Sequence, residues 1–386
     1  MSMRRIIFWS HLVAGLAAGT FVLIMSVTGV LLTYENQVEL AITDTVKVIS
    51  PDGGLQMSVE ELSQLENVQS AGDRGISLTF DNRENAPVGV RAGRSGGFLL
   101  NPYTGEELTD PAEGWSAVYR QIMFIHRWLG AEGESRDTAR MITGAANLVF
   151  LFLLISGAYI WLPKAWKWVF FRLNMFFRKS YPTSKARDFN WHHVFAFWAF
   201  VPLFFIVISG VMISYPWAVD LINAAWGEEG GRRGPETAND TNAEAAEMPA
   251  GDLASLDEAI AAAQTYGDKE WTRISLSLPE SQTATDLPLP RHFGDRVLPQ
   301  QRETLTFDRI TGEITDVQTY ADNSPARKTR LFLRFIHTGE RYGLIGSTIA
   351  GLSSLAACFL VYTGFALSFR RLILPLFRKK PARKNA

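Results

Sequence analysis

The chain has 386 residues, 47% of them hydrophobic and 20% charged, with 38 Lys and Arg against 39 Asp and Glu. Four windows hold no charged residue: 6–34, 141–163, 189–219 and 342–369, of 29, 23, 31 and 28 residues. A hydrocarbon core of roughly 30 Å takes about 20 apolar helical residues, so each window can cross a bilayer; a soluble globular enzyme, a disordered chain and a nucleic-acid binder are excluded.

In chain order, residues 1–34 carry Arg4 and Arg5 and then a first helix with His11 near its start and Thr28-Gly29 near its end. A signal peptide is not expected, because the apolar stretch is too long and the following LLTYENQVE offers no small-x-small cleavage site. Residues 35–120 read as a small α+β module with a helix over 59–65 and a strand over 75–80. Residues 121–163 combine an interfacial segment, containing Ile125-His126-Arg127, with a second helix that bears Ser156-Gly157. A basic loop over 164–188 leads to a third helix, 189–219, with His192, His193 and Ser209-Gly210. A second α+β module follows over 220–330; it begins with a polar, mobile linker at 227–249 and has a helix over 253–266 and a strand over 271–278. Residues 331–369 repeat the interfacial segment, with His337, and a fourth helix with Thr363-Gly364, and a basic tail closes the chain at 370–386. The single Cys358 has no disulfide partner in the chain and reads as apolar packing.

Charge orients these helices. The segments 1–5, 164–188 and 370–386 together hold 16 Lys and Arg and one acid, a net +15, while 35–140 and 220–341 sum to −16. Basic loops stay in the cytoplasm, so both termini are expected there and both α+β modules on the opposite, periplasmic face.

The chain is also duplicated. An ungapped offset of 181 pairs Phe8 with Phe189, His11 with His192, Thr28-Gly29 with Ser209-Gly210 and Tyr34 with Tyr215. Further on, Phe124-Ile125-His126 recurs as Phe335-Ile336-His337, Asn101 to Glu106 as Asp308 to Glu313, and Ser156-Gly157 as Thr363-Gly364. The expected fold is therefore a membrane protein of four transmembrane α-helices, built from two copies of a helix, α+β module, helix unit.

Five of the six histidines cluster at the helix ends, at two levels: His11, His192 and His193 on the cytoplasmic side, His126 and His337 on the other. Two symmetry-related helices, each with an imidazole at one depth, can hold a planar macrocycle from both faces, and two axial imidazoles on iron suit electron transfer because no coordination position stays open. A zinc or copper site would need three or four converging donors. Near the second level stand Arg127, Arg334 and Arg341, which would repel a dication and pair with haem propionates, or else simply flank the helix ends. The glycines Gly29, Gly157, Gly210 and Gly364 open room either for a porphyrin or for close helix packing. Between adjacent His192 and His193, which point about 100° apart on a helix, the repeat register selects His192.

These features together resemble the PepSY-associated transmembrane family: the basic N-terminus, the His-led helix ending in Thr-Gly, the Asp-x-x-Thr-Gly-Glu turn at Asp308 to Glu313, and Ile125-His126-Arg127. Asn101 and Thr338 depart from the pattern, standing where Asp and Arg are usual. The resemblance implies PepSY-like modules and a bacterial inner-membrane reductase with two b haems, held by His11 with His192 and by His126 with His337, that passes electrons to a periplasmic ferric siderophore and releases Fe(II). The loop over 164–188 is too short for a nucleotide-binding unit, so electrons would come from a quinol or a separate cytoplasmic donor. The alternatives are a non-redox membrane protein whose modules bind a periplasmic protein or peptidase, and a metal transporter, although the window centres lack the ionisable groups that transporters use.

Overall fold

The computed structural model describes residues 2–50, 54–72, 75–93, 96–163, 166–228, 253–279, 284–294 and 298–377. The linker expected at 227–249 lies outside the described residues from 229 onward, as does the tail from 378. In chain order the first repeat forms α1 (Met3–Leu31), α2 (Glu35–Thr43), α3 (Val59–Gln64), α4 (Glu66–Gln69), β1 (Ile76–Asp81), β2 (Val88–Ala92), β3 (Gly96–Leu100), β4 (Glu107–Leu108), α5 (Glu113–Trp128) and α6 (Ser135–Trp161). After α7 (Trp168–Met175), the second repeat forms α8 (Ser184–Ser214), α9 (Pro216–Ala225), α10 (Leu256–Thr265), β5 (Arg273–Ser277), β6 (Asp286–His292), β7 (Arg302–Asp308), β8 (Glu313–Gln318), α11 (Pro325–Thr338), α12 (Gly343–Leu372) and α13 (Leu374–Phe377).

Four helices, α1, α6, α8 and α12, are long and apolar enough to cross a membrane. A helix answers every backbone N–H and C=O within itself, which a bilayer demands. α1 and α8 each pack against both α6 and α12, so α1 and α8 stand diagonally across a four-helix bundle. The helices outrun the uncharged windows: α6 already begins at Ser135 and includes Arg136, Asp137 and Arg140, because charged residues are at home in the turns beyond the hydrocarbon. At one end, Arg4 donates to the Ile160 and Leu162 carbonyls at 2.7 and 2.8 Å, closing the C-terminus of α6. Asp188, fully buried, receives Arg187 at 2.9 Å and Arg370 of α12, which ties α8 to α12. The one acid of the basic segments is thus a helix-to-helix lock.

The chain divides into two compact units: Met1–Glu35 with Ala117–Glu228 and Thr329–Ala386, and Asn36–Ser116 with Glu229–Lys328. The division differs from the sequence boundaries at the ends of both modules, where residue 35 and residues 117–120 and 329–330 fall in the helical unit. Residues 220–228, expected in the second module, belong with the helical unit: Trp226 donates to Thr329 Oγ1 at 3.0 Å, and Asn223 takes the Arg330 guanidinium.

In the other unit the two modules merge. Their strands form one eight-stranded sheet in the order β4-β3-β2-β1-β5-β6-β7-β8, every neighbouring pair antiparallel, with β1 and β5 joined at the centre in the register Thr79↔Ser275. Alternation places Leu78, Val90, Ile274, Leu276, Leu289 and Leu305 on one face, where Leu62 of α3 and Ile260 of α10 cover them. Each of these aliphatic side chains contributes about 1.5–3 kcal/mol by leaving water. α3 and α10 begin with matching capping boxes, Ser58 with Glu61 and Ser255 with Glu258. They also cap each other: Asp257 accepts from the Val59 N–H at 2.8 Å, and Glu60 accepts from the Leu256 and Asp257 N–H groups.

The two turn motifs superpose in detail. Asn101 Oδ1 accepts from Tyr103 N at 2.9 Å and Asp308 Oδ1 from Ile310 N at 2.7 Å, and Gly105 and Gly312 sit at φ 72° and 71°. Asn in place of Asp leaves the turn unchanged, since the bond needs only a side-chain oxygen. His292, the sixth histidine, ends strand β6 opposite Arg273 and Arg302. Pro288 and Pro290 are tolerated there because β5 pairs only with Arg291 and His292.

Candidate functional site

The helical unit brings four histidines into two pairs. His11 lies near the start of α1 and His192 near the start of α8, the diagonal helices. Both line a cavity of about 580 Å³ whose walls include Phe150, Leu153, Phe197, Phe200, Leu360 and Phe365. That volume is in the range of sites for small organic ligands, and the walls are almost wholly apolar. His193 is absent from the lining: its Nδ1 donates to the Phe189 carbonyl at 2.8 Å, and its ring lies tilted at 36° against Phe189 with centroids 4.2 Å apart. Of the adjacent pair, His192 is the one that faces His11 across the cavity.

At the opposite end, His126 closes α5 and His337 closes α11, with ring centroids 6.3 Å apart and ring planes at 68°. Burial, and then the neighbouring His337, push the His126 imidazole down to about 4; burial lowers His337 as well. Both are neutral at neutral pH, the form that ligates. Among the described residues no group of three or more His, Cys, Asp or Glu side chains converges, so the donors on offer at each end are paired imidazoles.

Every one of these four rings rests on a Ser/Thr-Gly pair from another helix. His11 Nδ1 lies 2.8 Å from Ser156 Oγ, His126 Nδ1 2.8 Å from Thr28 Oγ1, His192 Nδ1 2.8 Å from Thr363 Oγ1, and His337 Nδ1 3.1 Å from Ser209 Oγ. A Cβ built on the adjoining glycine would meet the same ring's Cε1, at 3.2 Å for Gly157, 3.7 Å for Gly29, 3.7 Å for Gly364 and 3.3 Å for Gly210. The glycines make room for imidazoles rather than only for a neighbouring backbone, a role the sequence reading did not assign. Within each repeat the second long helix (α6 or α12) thus supports the histidine of the first, and the first (α1 or α8) supports the histidine of the shorter helix α5 or α11, whereas the histidine pairs at each end draw one member from each repeat. Two further partners were also not legible: Asn147 of α6 packs on Gly210 and donates to the Val207 carbonyl at 3.0 Å, and Ser354 of α12 packs on Gly29. They occupy equivalent places in the two repeats, at the same spacing as Ser156 and Thr363.

The sequence profile of the PepSY-associated TM region matches residues 8–371, from the first membrane helix to the end of the last. The chain belongs to this family. No curated protein matches the chain. In this PepSY-associated membrane protein the cations near the His126 and His337 end include more than the sequence reading named. Burial, followed by Arg140, Arg136 and Arg334, holds the Arg127 guanidinium below its ordinary range. Arg127 and Arg136 lie over the buried Trp128 ring at 4.7 and 3.6 Å. The Arg341 guanidinium lies 5.7 Å over Tyr342.

Proposed function

We propose that this protein is a dihaem reductase of the bacterial inner membrane, carrying electrons from the cytoplasmic side to a periplasmic ferric siderophore or other ferric chelate. The observation that carries this reading is the pair of imidazole pairs: two histidines from different repeats at each end of the bundle, lining one cavity at one end and with ring centroids 6.3 Å apart at the other. His11 and His192 would hold one b haem and His126 and His337 the other, and haem at each position would supply a one-electron couple.

The residues' own contributions follow from their chemistry. Phe150, Phe197 and Phe200 keep water from the His11 and His192 cavity, which favours a macrocycle over a hydrated ion. Arg127 and Arg334, close enough to repel one another, offer forked donors to carboxylates. His11 is 18 residues from Gly29, so about 27 Å of helix separates the two ends, a span that two macrocycles shorten to tunnelling range. The charge balance of +15 against −16 orients the chain with the His11 end in the cytoplasm. A quinol or a separate cytoplasmic donor gives up the electron, and each electron converts one chelated Fe(III) to Fe(II), a softer ion that hard-oxygen chelators hold weakly.

Visible spectroscopy of the purified full chain tests the reading. Two haems per chain, with bands that shift on reduction and return on adding a ferric chelate, are expected. A folded but colourless preparation would overturn it and leave a role for the modules in binding a periplasmic protein. Equal reduction rates for an impermeant chelate in right-side-out and inside-out vesicles would overturn the direction of transfer.

A further inference from the structure

The four hydroxyls that touch the histidines have their own protons committed elsewhere. Ser156 Oγ donates to the Phe152 carbonyl, Thr28 Oγ1 to Ile24, Thr363 Oγ1 to Phe359 and Ser209 Oγ to Phe205, each at 2.7 Å and each four residues back on its own helix. A hydroxyl has one proton and two lone pairs. With the proton spent on the carbonyl, the oxygen can only accept from the imidazole, so Nδ1 must be the ring nitrogen that carries hydrogen. His337 gives an independent check: its Nδ1 also lies 2.8 Å from the Ile206 carbonyl, which cannot donate at all. A neutral imidazole protonated on Nδ1 has its lone pair on Nε2, away from the supporting helix.

We infer that Thr28, Ser156, Ser209 and Thr363 are positioning residues which, each with its adjoining glycine, fix the Nδ1–H tautomer and the ring direction of the four histidines before any cofactor arrives. The inference rests on the proposed reading for its purpose, but not for its geometry. The hydroxyl sets the proton, the glycine admits Cε1, and the two act on one ring from consecutive residues of one helix turn. The tie also has an electronic consequence, because an accepted Nδ1–H bond makes the ligand more basic and so stabilises Fe(III).

The substitutions are Thr363→Val, which keeps the side chain's shape and loses the hydroxyl, Ser156→Ala for the same test on His11, and Thr363→Ser as the conservative partner. With 15N-labelled histidine in the full chain purified free of haem, wild type should show His192 protonated on Nδ1; Thr363→Val should move proton population to Nε2, and Thr363→Ser should not. On haem addition, Thr363→Val should weaken binding at one of the two sites about 10- to 100-fold, raise the reduction midpoint of that haem alone, and be rescued by Thr363→Ser. An unchanged tautomer in both Thr363→Val and Ser156→Ala overturns the inference, and so do losses that Thr363→Ser fails to rescue. If wild type takes up no haem, the proposed function fails while the nitrogen spectra still decide the tautomer. Should Thr363→Val not fold, Ser156→Ala carries the same test at the other ligand.

Discussion

Gly157 and Gly364 occupy equivalent places in the two repeats, yet alanine at the two positions should behave differently. Replacing glycine inside a helix with alanine gains up to about 1 kcal/mol of backbone preference. At Gly364 the new methyl would stand 3.7 Å from His192 Cε1, an ordinary contact, so the gain survives. At Gly157 it would stand 3.2 Å from His11 Cε1, and that ring must retreat by a few tenths of an ångström while Ser156 still holds its Nδ1 at 2.8 Å. Overpacking of this kind costs about 1–3 kcal/mol, and each 1.4 kcal/mol is tenfold in an equilibrium. Haem release from the His11 and His192 site should therefore quicken on the order of 10- to 100-fold in Gly157→Ala and change little in Gly364→Ala, whose thermal midpoint should hold or rise. Transfer of haem to excess apomyoglobin, followed by visible absorption, measures the release. Equal release from the two variants, or faster release from Gly364→Ala, would refute the argument from ring contact.

His192→Ala should remove the haem at the His11 end, whereas His193→Ala, whose ring is tied to Phe189, should keep it; haem stoichiometry distinguishes the two. His126→Ala and His337→Ala should each empty only the other site, and loss of both haems from either would point to one shared site. Burial and then Asp257 hold the Glu60 carboxyl above its ordinary value of 4.5, so its contribution to folding is present while it is protonated and is lost as pH rises through its folded value. The difference in thermal midpoint between Glu60→Gln and wild type should move in favour of the variant as pH rises through the carboxyl's folded value, above 4.5; a difference that is constant with pH would count against the charge as its cause. Arg291, fully buried, gives its guanidinium to the Ala263, Tyr266 and Lys269 carbonyls at and just beyond the end of α10 and faces Glu303 at 3.7 Å. Arg291→Met leaves those carbonyls without their donor, at about 1–3 kcal/mol for each buried group left unsatisfied, while Glu303 keeps Lys269 at 3.1 Å, and should lower the unfolding midpoint of the sheet-bearing unit by several degrees.

The membrane helices are legible because charge is excluded from hydrocarbon regardless of tertiary context, and the histidine pairs because an ungapped register carries His11 onto His192. Helix ends are less so: the uncharged window at 141–163 marks the apolar span, while α6 starts six residues earlier at Ser135. The strands over 75–80 and 271–278 show in their alternation, but nothing local to either says that β1 and β5 pair with each other across 196 residues, Thr79 against Ser275. The hydroxyl-to-imidazole ties escape for a different reason. Ser and Thr near glycine in a membrane helix are common packing residues, and only the fold reveals that Thr28 points at a histidine 98 residues away. Carrying the Ser156 to Thr363 offset back along the helices would have drawn Asn147 and Ser354 together as well.

Because the supporting hydroxyls act within a repeat and the histidine pairs form between repeats, half of this chain would hold its own histidines correctly oriented yet would complete neither pair. Two identical halves could finish both, which makes a symmetric homodimer a workable ancestor and fusion the step that later freed each half to change. The traces of that freedom are visible in the molecule: Asn147 opposite Ser354, and Arg127 where the second copy has Thr338. Each half supplies one histidine to each end, so the loss of either half would break both pairs at once.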